Sequence, residues 1–203
     1  MTTRENGTRP ATGGGVVRKK VTAAITEAAL AEVADTGYAR TPMNAVARRA
    51  GVGKAALYRR WSSKQAMLAE LIRDKVASAL PPVPANGALP TDLRELFATF
   101  RGQLAHPHAT RIGAGLLAEA THNPNLDDLL QNEVAAPRRA AARAILQNAI
   151  ARGELPPDLN QELGIDLLIA PLAFRMLVLK GPIDDPYLET PTRAIEAALK
   201  ASS

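Results

Sequence analysis

The sequence predicts an all-α protein in which a small N-terminal helical unit precedes a larger helical bundle. Apolar residues recur at steps of three and four along most of the 203-residue chain, as they do on one face of a helix. Valine and isoleucine are too scattered to alternate as in a strand. Because aromatic residues make up only 3% of the chain, the core must be mainly Leu, Ile, Val and Ala, which suits packed helices.

The first predicted helix covers residues 16–33 and stops before Gly37. Gly37 is suited to the left-handed conformation that ends many helices. Residues 1–15, which end in three glycines, are predicted to be a disordered arm. The apolar positions of the helix form a single face made of Val17, Val21, Ile25, Ala28, Ala29 and Val33.

Two short helices joined by a glycine-containing turn are predicted next. Thr41 is expected to cap the first of them, with Pro42 at its first helical position. Gly51-Val52-Gly53 separates this helix from a second one, expected at residues 54–61. Two helices at this spacing are typical of a helix-turn-helix.

Positive charge is concentrated in the same part of the chain. The formal net charge is +5, yet residues 16–64 alone hold ten basic and three acidic residues. Residues 65–203 are slightly acidic. Such a local excess favours a polyanionic partner, although a solvated basic surface would give the same count. We therefore assign residues 16–62 to a three-helix helix-turn-helix domain that binds double-stranded DNA.

The second helix of such a motif enters the major groove, so its N-terminal half is expected to face the bases. Lys54 and Ala55 lie in this half. Arg59 has the bidentate geometry that guanine prefers. Contact with phosphates alone is the alternative for Arg59 and Arg60.

Phosphate contacts are expected on both sides of this helix. Thr41 lies at a helix N-terminus, where exposed amides and the helix dipole favour an anion. Tyr58 has a hydroxyl that can donate to a phosphate, although its ring could simply pack. Lys64 lies in the first turn of the next helix, where the dipole disfavours a lone cation unless an anion is near. Trp61 is expected to be buried, with its N–H bonded to a partner.

The motif resembles the N-terminal domain of the tetracycline-repressor (TetR) family. The resemblance covers residues 18–72 and is carried by Gly37-Tyr38 and residues 41–47, 50–54, 57–61 and 63–64. Gly53 and Trp61 stand where many members have serine and phenylalanine. The resemblance implies backbone contacts at Thr41, Tyr58 and Lys64, and groove contacts at Asn44, Lys54, Ala55 and Arg59.

A second helical domain is predicted over residues 63–203. Its first helix is capped by Ser62-Ser63, and later helices are expected at residues 92–104, 108–120, 125–151 and 161–179 and in a final stretch ending near residue 201. Pro137 and Pro171 should kink two of them. The resemblance implies that this domain dimerises and binds a small molecule.

Homodimerisation is predicted through the last two helices. Their apolar stripes could build a four-helix interface, and a dimer would double the number of base pairs read, so we expect a pseudo-palindromic operator. Ordinary core packing is the alternative for these stripes, which comprise Leu163, Leu167, Ala170, Phe174, Leu177, Val178, Leu188, Ile195, Ala198 and Leu199.

A ligand pocket is expected in the same domain, with a small-molecule effector as its occupant. The alternative for each candidate polar residue is an ordinary surface charge or an ion pair, which for Arg175 could form across the dimer. The candidate lining residues are Phe97, Phe100, Leu104, Leu116 and Phe174, with Arg111, Glu119 and Arg175 as polar contacts.

Several classes of protein are disfavoured. Without cysteine the chain has no disulfide or thiolate metal site, and it lacks a phosphate loop, a nucleophile elbow and a metal-spaced His pair, so no enzyme activity, metal or cofactor is expected. No apolar run of about 18 residues predicts a membrane span, and the N-terminus is polar, so a cytoplasmic protein is expected. A transcriptional activator and an architectural DNA-binding protein without a small-molecule effector remain alternatives to the repressor that the family implies.

Overall fold

The computed structural model describes residues 13–77, 87–104 and 108–201, and the side chains of residues 20–76, 87–102 and 108–201. Within these ranges the regular structure consists of ten α-helices and one π-helical turn, with no strand. The predicted all-α fold class is therefore confirmed.

Three helices form the N-terminal unit: α1 (Gly13–Thr36), α2 (Met43–Arg49) and α3 (Lys54–Arg60). Gly37 ends α1 with a φ of 79°, as predicted, and Gly51 opens the turn between α2 and α3 with a φ of 66°. We call the buried cluster that joins these helices to the next one the N-terminal core. It consists of Ile25, Ala28, Ala29, Met43, Val46, Ala47, Leu57, Trp61, Met67 and Leu71.

The structure differs from the prediction at several points in this unit. Helix α1 begins at Gly13, three residues before the predicted start, and residues 1–12 of the predicted arm lie outside the described residues. Val21 is exposed rather than part of the buried face. Helix α2 is preceded by Pro42 at the N-cap, with no side-chain cap, so the capping role predicted for Thr41 is wrong.

Helix α4 (Lys64–Ala77) follows α3 after a short connection that contains Trp61. The Oγ of Ser63 accepts a hydrogen bond from Ala66 N at 3.1 Å, which confirms the predicted cap. Trp61 is 2% exposed, and its Nε1 donates to Glu70 Oε2 at 2.8 Å. The indole therefore packs between α3 and α4 with its polar atom satisfied, as predicted.

The C-terminal domain contains six further helices and the π-helical turn. Helices α5, α8, α9 and α10 enclose its main core, which includes Leu93, Phe97, Ile145 and Leu168. The elements in chain order are α5 (Leu89–Leu104), α6 (Ala109–Ala120), α7 (Pro124–Leu130), the π turn (Gln131–Ala135), α8 (Ala136–Ala151), α9 (Gln161–Leu177) and α10 (Asp185–Ala201).

The helix predicted over residues 125–151 is divided by the π turn. Pro137 lies at the start of α8, and it has no N–H to donate to the carbonyl four residues earlier. A wider turn just before a proline relieves the clash of its ring with that carbonyl. The helix is therefore interrupted next to Pro137, as a π turn instead of the predicted kink. Pro171 lies inside α9, which continues through it.

A third cluster joins the two domains, and we call it the inter-domain cluster. It brings together side chains of α1, α4, α6 and α7 and the loop after α1. The helix-turn-helix is thus fixed to the C-terminal domain by buried apolar contacts. The cluster consists of Val33, Ala34, Tyr38, Leu68, Ile112, Leu116, Leu126, Leu129 and Leu130.

We expect Trp61→Ala to destabilise the N-terminal core strongly. Loss of a buried indole costs about 3–5 kcal/mol of unfolding free energy, because the cavity left behind is not filled. The measurement is urea unfolding followed by far-UV circular dichroism. Tyr58→Ala is the matched control, since this exposed aromatic residue on α3 should change stability by about 0.5 kcal/mol or less. Equal unfolding midpoints for the two variants would contradict the role given to Trp61.

Candidate nucleic-acid interface and ligand cavity

Helices α2 and α3 present exposed faces opposite the N-terminal core. Met43, Val46 and Leu57 are buried in that core, and the opposite faces of the two helices point to solvent. Residues four apart share a face of a helix, which groups the exposed side chains into neighbouring pairs. The exposed residues are Asn44, Arg48 and Arg49 on α2, and Lys54, Ala55, Tyr58, Arg59 and Arg60 on α3.

Three exposed cations on these faces are available to an external anion. The side chains of Arg48 and Arg59 form no hydrogen bond or ion pair with the rest of the described chain. Lys54 has only a weak contact, with its Nζ 5.7 Å from the centroid of the Tyr58 ring. Sequence reasoning missed Arg48, although its spacing of four residues from Asn44 is the signal that places both on one face.

Other basic residues of this unit are already paired within the protein. Arg49 Nε lies 2.8 Å from Glu32 Oε1, and Arg49 Nη2 lies 2.9 Å from Asp35 Oδ2. The hydrogen bond to Asp35 is the largest cause that raises the pKa of Arg49. Positive charge alone therefore does not identify a DNA-contacting residue in this unit, because adjacent arginines differ in whether they are paired within the protein.

Arg60, predicted to contact DNA, connects three helices instead. Its guanidinium donates to Thr22 Oγ1 at 2.5 Å and to Glu70 Oε1 at 2.6 Å, and it lies 4.4 Å from the Trp61 ring centroid. These contacts join α1, α3 and α4. The guanidinium is thus used inside the protein, and the structure does not support its predicted DNA contact.

Thr41 and Lys64, predicted as phosphate contacts, also use their polar atoms internally. Thr41 is 3% exposed, and its hydroxyl donates to Gly37 O at 2.8 Å. Lys64 Nζ donates to the carbonyls of Tyr38 and Ala39 at 2.5 and 3.0 Å. Burial lowers the pKa of Lys64. The two carbonyls offset the unfavourable position of the Lys64 cation at the N-terminus of α4. A bound phosphate is therefore not needed to stabilise Lys64 there.

A cavity of about 810 Å³ opens between α4, α6, the π turn, α8 and α9. Its size is in the range that accommodates drug-sized molecules. Most of its wall is apolar, and its charged residues are Lys75, Asp127, Arg138, Arg139 and Asp166. The apolar wall includes Leu71, Ile72, Val76, Phe100, Ile112, Leu116, Leu130, Val134, Ile169, Leu172, Ala173, Met176 and Leu177.

The predicted apolar lining residues are divided among three environments. Phe100 and Leu116 line the cavity. Phe97 is fully buried in the main core, and Phe174 is 55% exposed on the outer face of α9, so their predicted place in the lining is wrong. The side chain of Leu104 lies outside the described residues. The helical periodicity of the sequence predicts which residues form an apolar face, but it does not predict which other residues pack against that face.

The predicted polar contacts do not line the cavity. Arg111 Nη2 lies 3.2 Å from His108 Nδ1 and 3.6 Å from Asp35 Oδ1. Glu119 lies near the buried Tyr38, whose pKa is raised by burial and by this carboxylate. Arg175 is held near the end of α9.

The contacts of Arg175 are local. Its Nε donates to Pro182 O at 2.9 Å, and its guanidinium lies 3.9 Å from the centroid of the Tyr187 ring. The loop after α9 therefore folds back over Arg175, and this contact explains a charge in an apolar stretch. None of the three predicted polar residues lines the cavity, because each has its partners elsewhere in the fold.

Comparison with known families assigns both domains. Residues 25–71 match the family model of bacterial regulatory proteins of the tetR family, and residues 83–195 match that of the tetracyclin repressor-like C-terminal domain. The second match alone covers more than half of the chain. The chain belongs to the TetR family. It is therefore a helix-turn-helix transcriptional regulator, and the family is one of DNA-binding regulators rather than enzymes.

Relatives and solved structures agree with this assignment. The DNA-binding transcriptional repressor TetR of Mycobacteroides abscessus is 31% identical, over 82% of this chain and 86% of its own. The TetR family transcription regulator SCO0332 superposes with a TM-score of 0.65 and 26% identity, over 88% of this chain and 97% of its own. FadR from Bacillus subtilis, solved with stearoyl-CoA, shares the fold, with a TM-score of 0.72 and 18% identity over 89% and 98% of the two chains.

The described residues offer neither a candidate membrane span nor a candidate metal site. None of the described helices is both long enough and apolar enough to cross a membrane. Among the same residues, no group of three or more His, Asp or Glu side chains is arranged to hold a metal ion.

Proposed function

We propose that this TetR-family regulator is a cytoplasmic repressor that binds a pseudo-palindromic operator as a homodimer and is released by a small molecule. The observation that carries this proposal is the set of cations on the exposed helix-turn-helix faces. Arg48, Lys54 and Arg59 have no ion pair within the described chain, whereas the neighbouring Arg49 and Arg60 are paired. The relative named as a repressor supports the direction of control.

The exposed side chains divide into base-reading and backbone-binding groups. Helix α3 is the recognition helix, so Lys54, Ala55 and Arg59 face base edges, with the Arg59 fork suited to guanine. Arg48 on α2 lies where the first helix of the motif crosses the backbone, and Tyr58 donates to a phosphate. Asn44, one turn before Arg48, contributes a groove contact, as the family resemblance implies. Thr41, Arg60 and Lys64 instead maintain the geometry of the unit through internal contacts.

Helix α9 supplies the dimer interface in this proposal. Leu163, Phe174 and Val178 are 48%, 55% and 59% exposed, and helical steps relate them to Leu167 and Ala170 on the same face. A contiguous exposed apolar face on a helix often marks an interaction site. Two copies that pack these faces about a two-fold axis would place two recognition helices on one operator. Three residues predicted for the stripe on α10, namely Leu188, Ile195 and Leu199, are buried in the main core instead.

The cavity is positioned to influence the DNA-binding unit. Leu71, Ile72 and Val76 of α4 form part of its wall, and Val134 of the π turn forms another part. Arg73 Nε donates to Glu133 Oε2 at 2.8 Å, which connects α4 to the π turn beside the cavity. This hydrogen bond is the main cause that lowers the pKa of Glu133.

A ligand that binds better to a second arrangement of α4 and the π turn would shift the regulator to that arrangement. Because α4 also packs against Trp61, its movement would change the spacing of the two recognition helices. The presence of this cavity favours effector control over an architectural protein without a small-molecule input. The structure of FadR with stearoyl-CoA is a precedent for an acyl ligand on this fold. Transcription in vitro, with and without the protein, separates repressor from activator.

We expect Arg48→Ala and Arg59→Ala to weaken operator binding in different ways. The operator is first selected from a random DNA pool, and binding is then measured by fluorescence anisotropy over a salt series. Loss of a phosphate contact by Arg48→Ala should reduce the slope of log K against log salt by about 1 for all sequences. Arg59→Ala should cost about 1–3 kcal/mol and relax preference at one base position.

Arg49→Ala is the matched control for Arg48→Ala, because it removes the same charge from the adjacent residue of α2. Arg49 is paired with Glu32 and Asp35, so its loss should leave the salt slope close to that of the wild type. Equal slope changes for the two variants would show that only the net charge matters. Unchanged base preference for Arg59→Ala would contradict its base-reading role.

We expect Phe174→Glu to convert the dimer to a monomer. A carboxylate at the centre of an apolar interface loses its water without gaining a partner, which strongly disfavours association. Size-exclusion chromatography with light scattering gives the mass directly. Val21→Glu is the control, because Val21 is an exposed apolar residue on α1, outside the interface. A dimeric Phe174→Glu protein would rule out α9 as the interface.

We expect Ala173→Trp to close the cavity while operator binding persists. Ala173 is a partly buried residue in the cavity wall, so a larger side chain there occupies the space of a ligand. The probe is Nile red, a neutral dye that becomes fluorescent in apolar cavities. Ala140→Trp, on the exposed side of α8, is the control and should bind the dye as the wild type does. Dye binding by Ala173→Trp at wild-type affinity would contradict the proposed ligand site.

A further inference from the structure

Five charged residues contribute to the wall of the cavity. Lys75, Arg138 and Arg139 provide three cations, while Asp127 and Asp166 provide two carboxylates. Arg139 Nη1 lies 2.7 Å from Asp166 Oδ1, and the same guanidinium also contacts Glu162. These two carboxylates neutralise the charge of Arg139. Arg139 therefore does not determine which ligand charge the cavity prefers.

Arg138 is held against the apolar part of the wall. Its guanidinium lies 5.5 Å from the centroid of the Phe100 ring, and both residues line the cavity. Burial lowers the pKa of Arg138, as expected for a cation that has lost part of its water. An arginine remains charged in such a place, so an anion bound beside it recovers part of the lost solvation.

The geometry of Arg138 also selects the kind of anion. A guanidinium presents N–H groups in a planar fork that matches the two oxygens of a carboxylate, or those of a phosphate. Elsewhere in the wall, Ile112, Leu116, Ile169 and Met176 offer only apolar contact. A molecule that satisfies both parts of the wall needs an apolar body and one anionic end.

We infer that the cavity binds an anionic amphiphile, with its alkyl or aryl body along α6 and α9 and its acidic head group at Arg138. This inference rests on the effector site proposed above and adds its ligand class. It also replaces the polar contacts that the sequence suggested at Arg111, Glu119 and Arg175, none of which lines the cavity.

The test is displacement of Nile red from the purified full-length protein by four ten-carbon compounds. Decanoate and decyl phosphate carry an anionic head, decanol a neutral one and decylamine a cationic one. We expect the two anions to bind at least 10-fold more tightly than decanol, and decylamine to bind most weakly, because a charge-assisted hydrogen bond contributes at this level. The ratio of decanoate to decyl phosphate identifies the head group.

Arg138→Met should remove the preference for anions while leaving decanol affinity within about 2-fold. Arg138→Lys keeps the charge without the fork and should retain part of the preference. Arg143→Met is the matched control, since Arg143 lies on the same helix, pairs with Glu162 and does not line the cavity. Nile red binding by each variant verifies that the cavity is intact.

Two failures are distinguishable. Equal affinity for the anionic and neutral compounds, or a preference that survives Arg138→Met, would overturn the ligand class and leave the effector site in place. Absence of Nile red binding to the wild type, with operator binding intact, would contradict the effector site itself and this inference with it.

Discussion

Helix α4 buries neighbouring side chains in two different cores, and this double burial ties the DNA-binding unit to the rest of the molecule. Met67 belongs to the N-terminal core, whereas the next residue, Leu68, belongs to the inter-domain cluster. Both side chains are about 1% exposed, so truncation of either one would lower the free energy of unfolding substantially. In the proposed mechanism, a displacement of α4 near the cavity would also move Trp61, which packs against it, and with it the recognition helix.

The arginines of the N-terminal unit show how one residue type serves two purposes. Arg49 and Arg60 are bound to carboxylates on other helices and maintain the arrangement of α1 to α4. Arg48 and Arg59 lie beside them in sequence and have no such partner among the described residues. Exposed ion pairs contribute little to stability, so the paired arginines act mainly by fixing geometry. The neighbouring cations thereby stay available for phosphates and bases.

The sequence predicted the helix-turn-helix well because its signals are local. Gly37 and the Gly51-Val52-Gly53 turn mark helix ends through backbone conformation, which needs no knowledge of distant residues. Thr41 was misjudged because its hydroxyl turns back to Gly37 O, and that depends on the loop path. The cavity could not be derived in this way. Phe97 and Phe100 share one face of α5 and both belong to the main core, yet only Phe100 also lines the cavity.

The π turn determines which side chains of α8 face the main core and which face the cavity. A π turn is equivalent to one residue inserted into a continuous helix, and it sets the rotational phase of α8 relative to α7. Removing that residue would rotate every side chain of α8 by about 100° about the helix axis. Arg138 would then leave the cavity wall, although no residue in contact with a ligand had been substituted. The same rotation would take Ile145 and Leu146 out of the main core, so the π turn is needed both for the packing of this domain and for the position of Arg138.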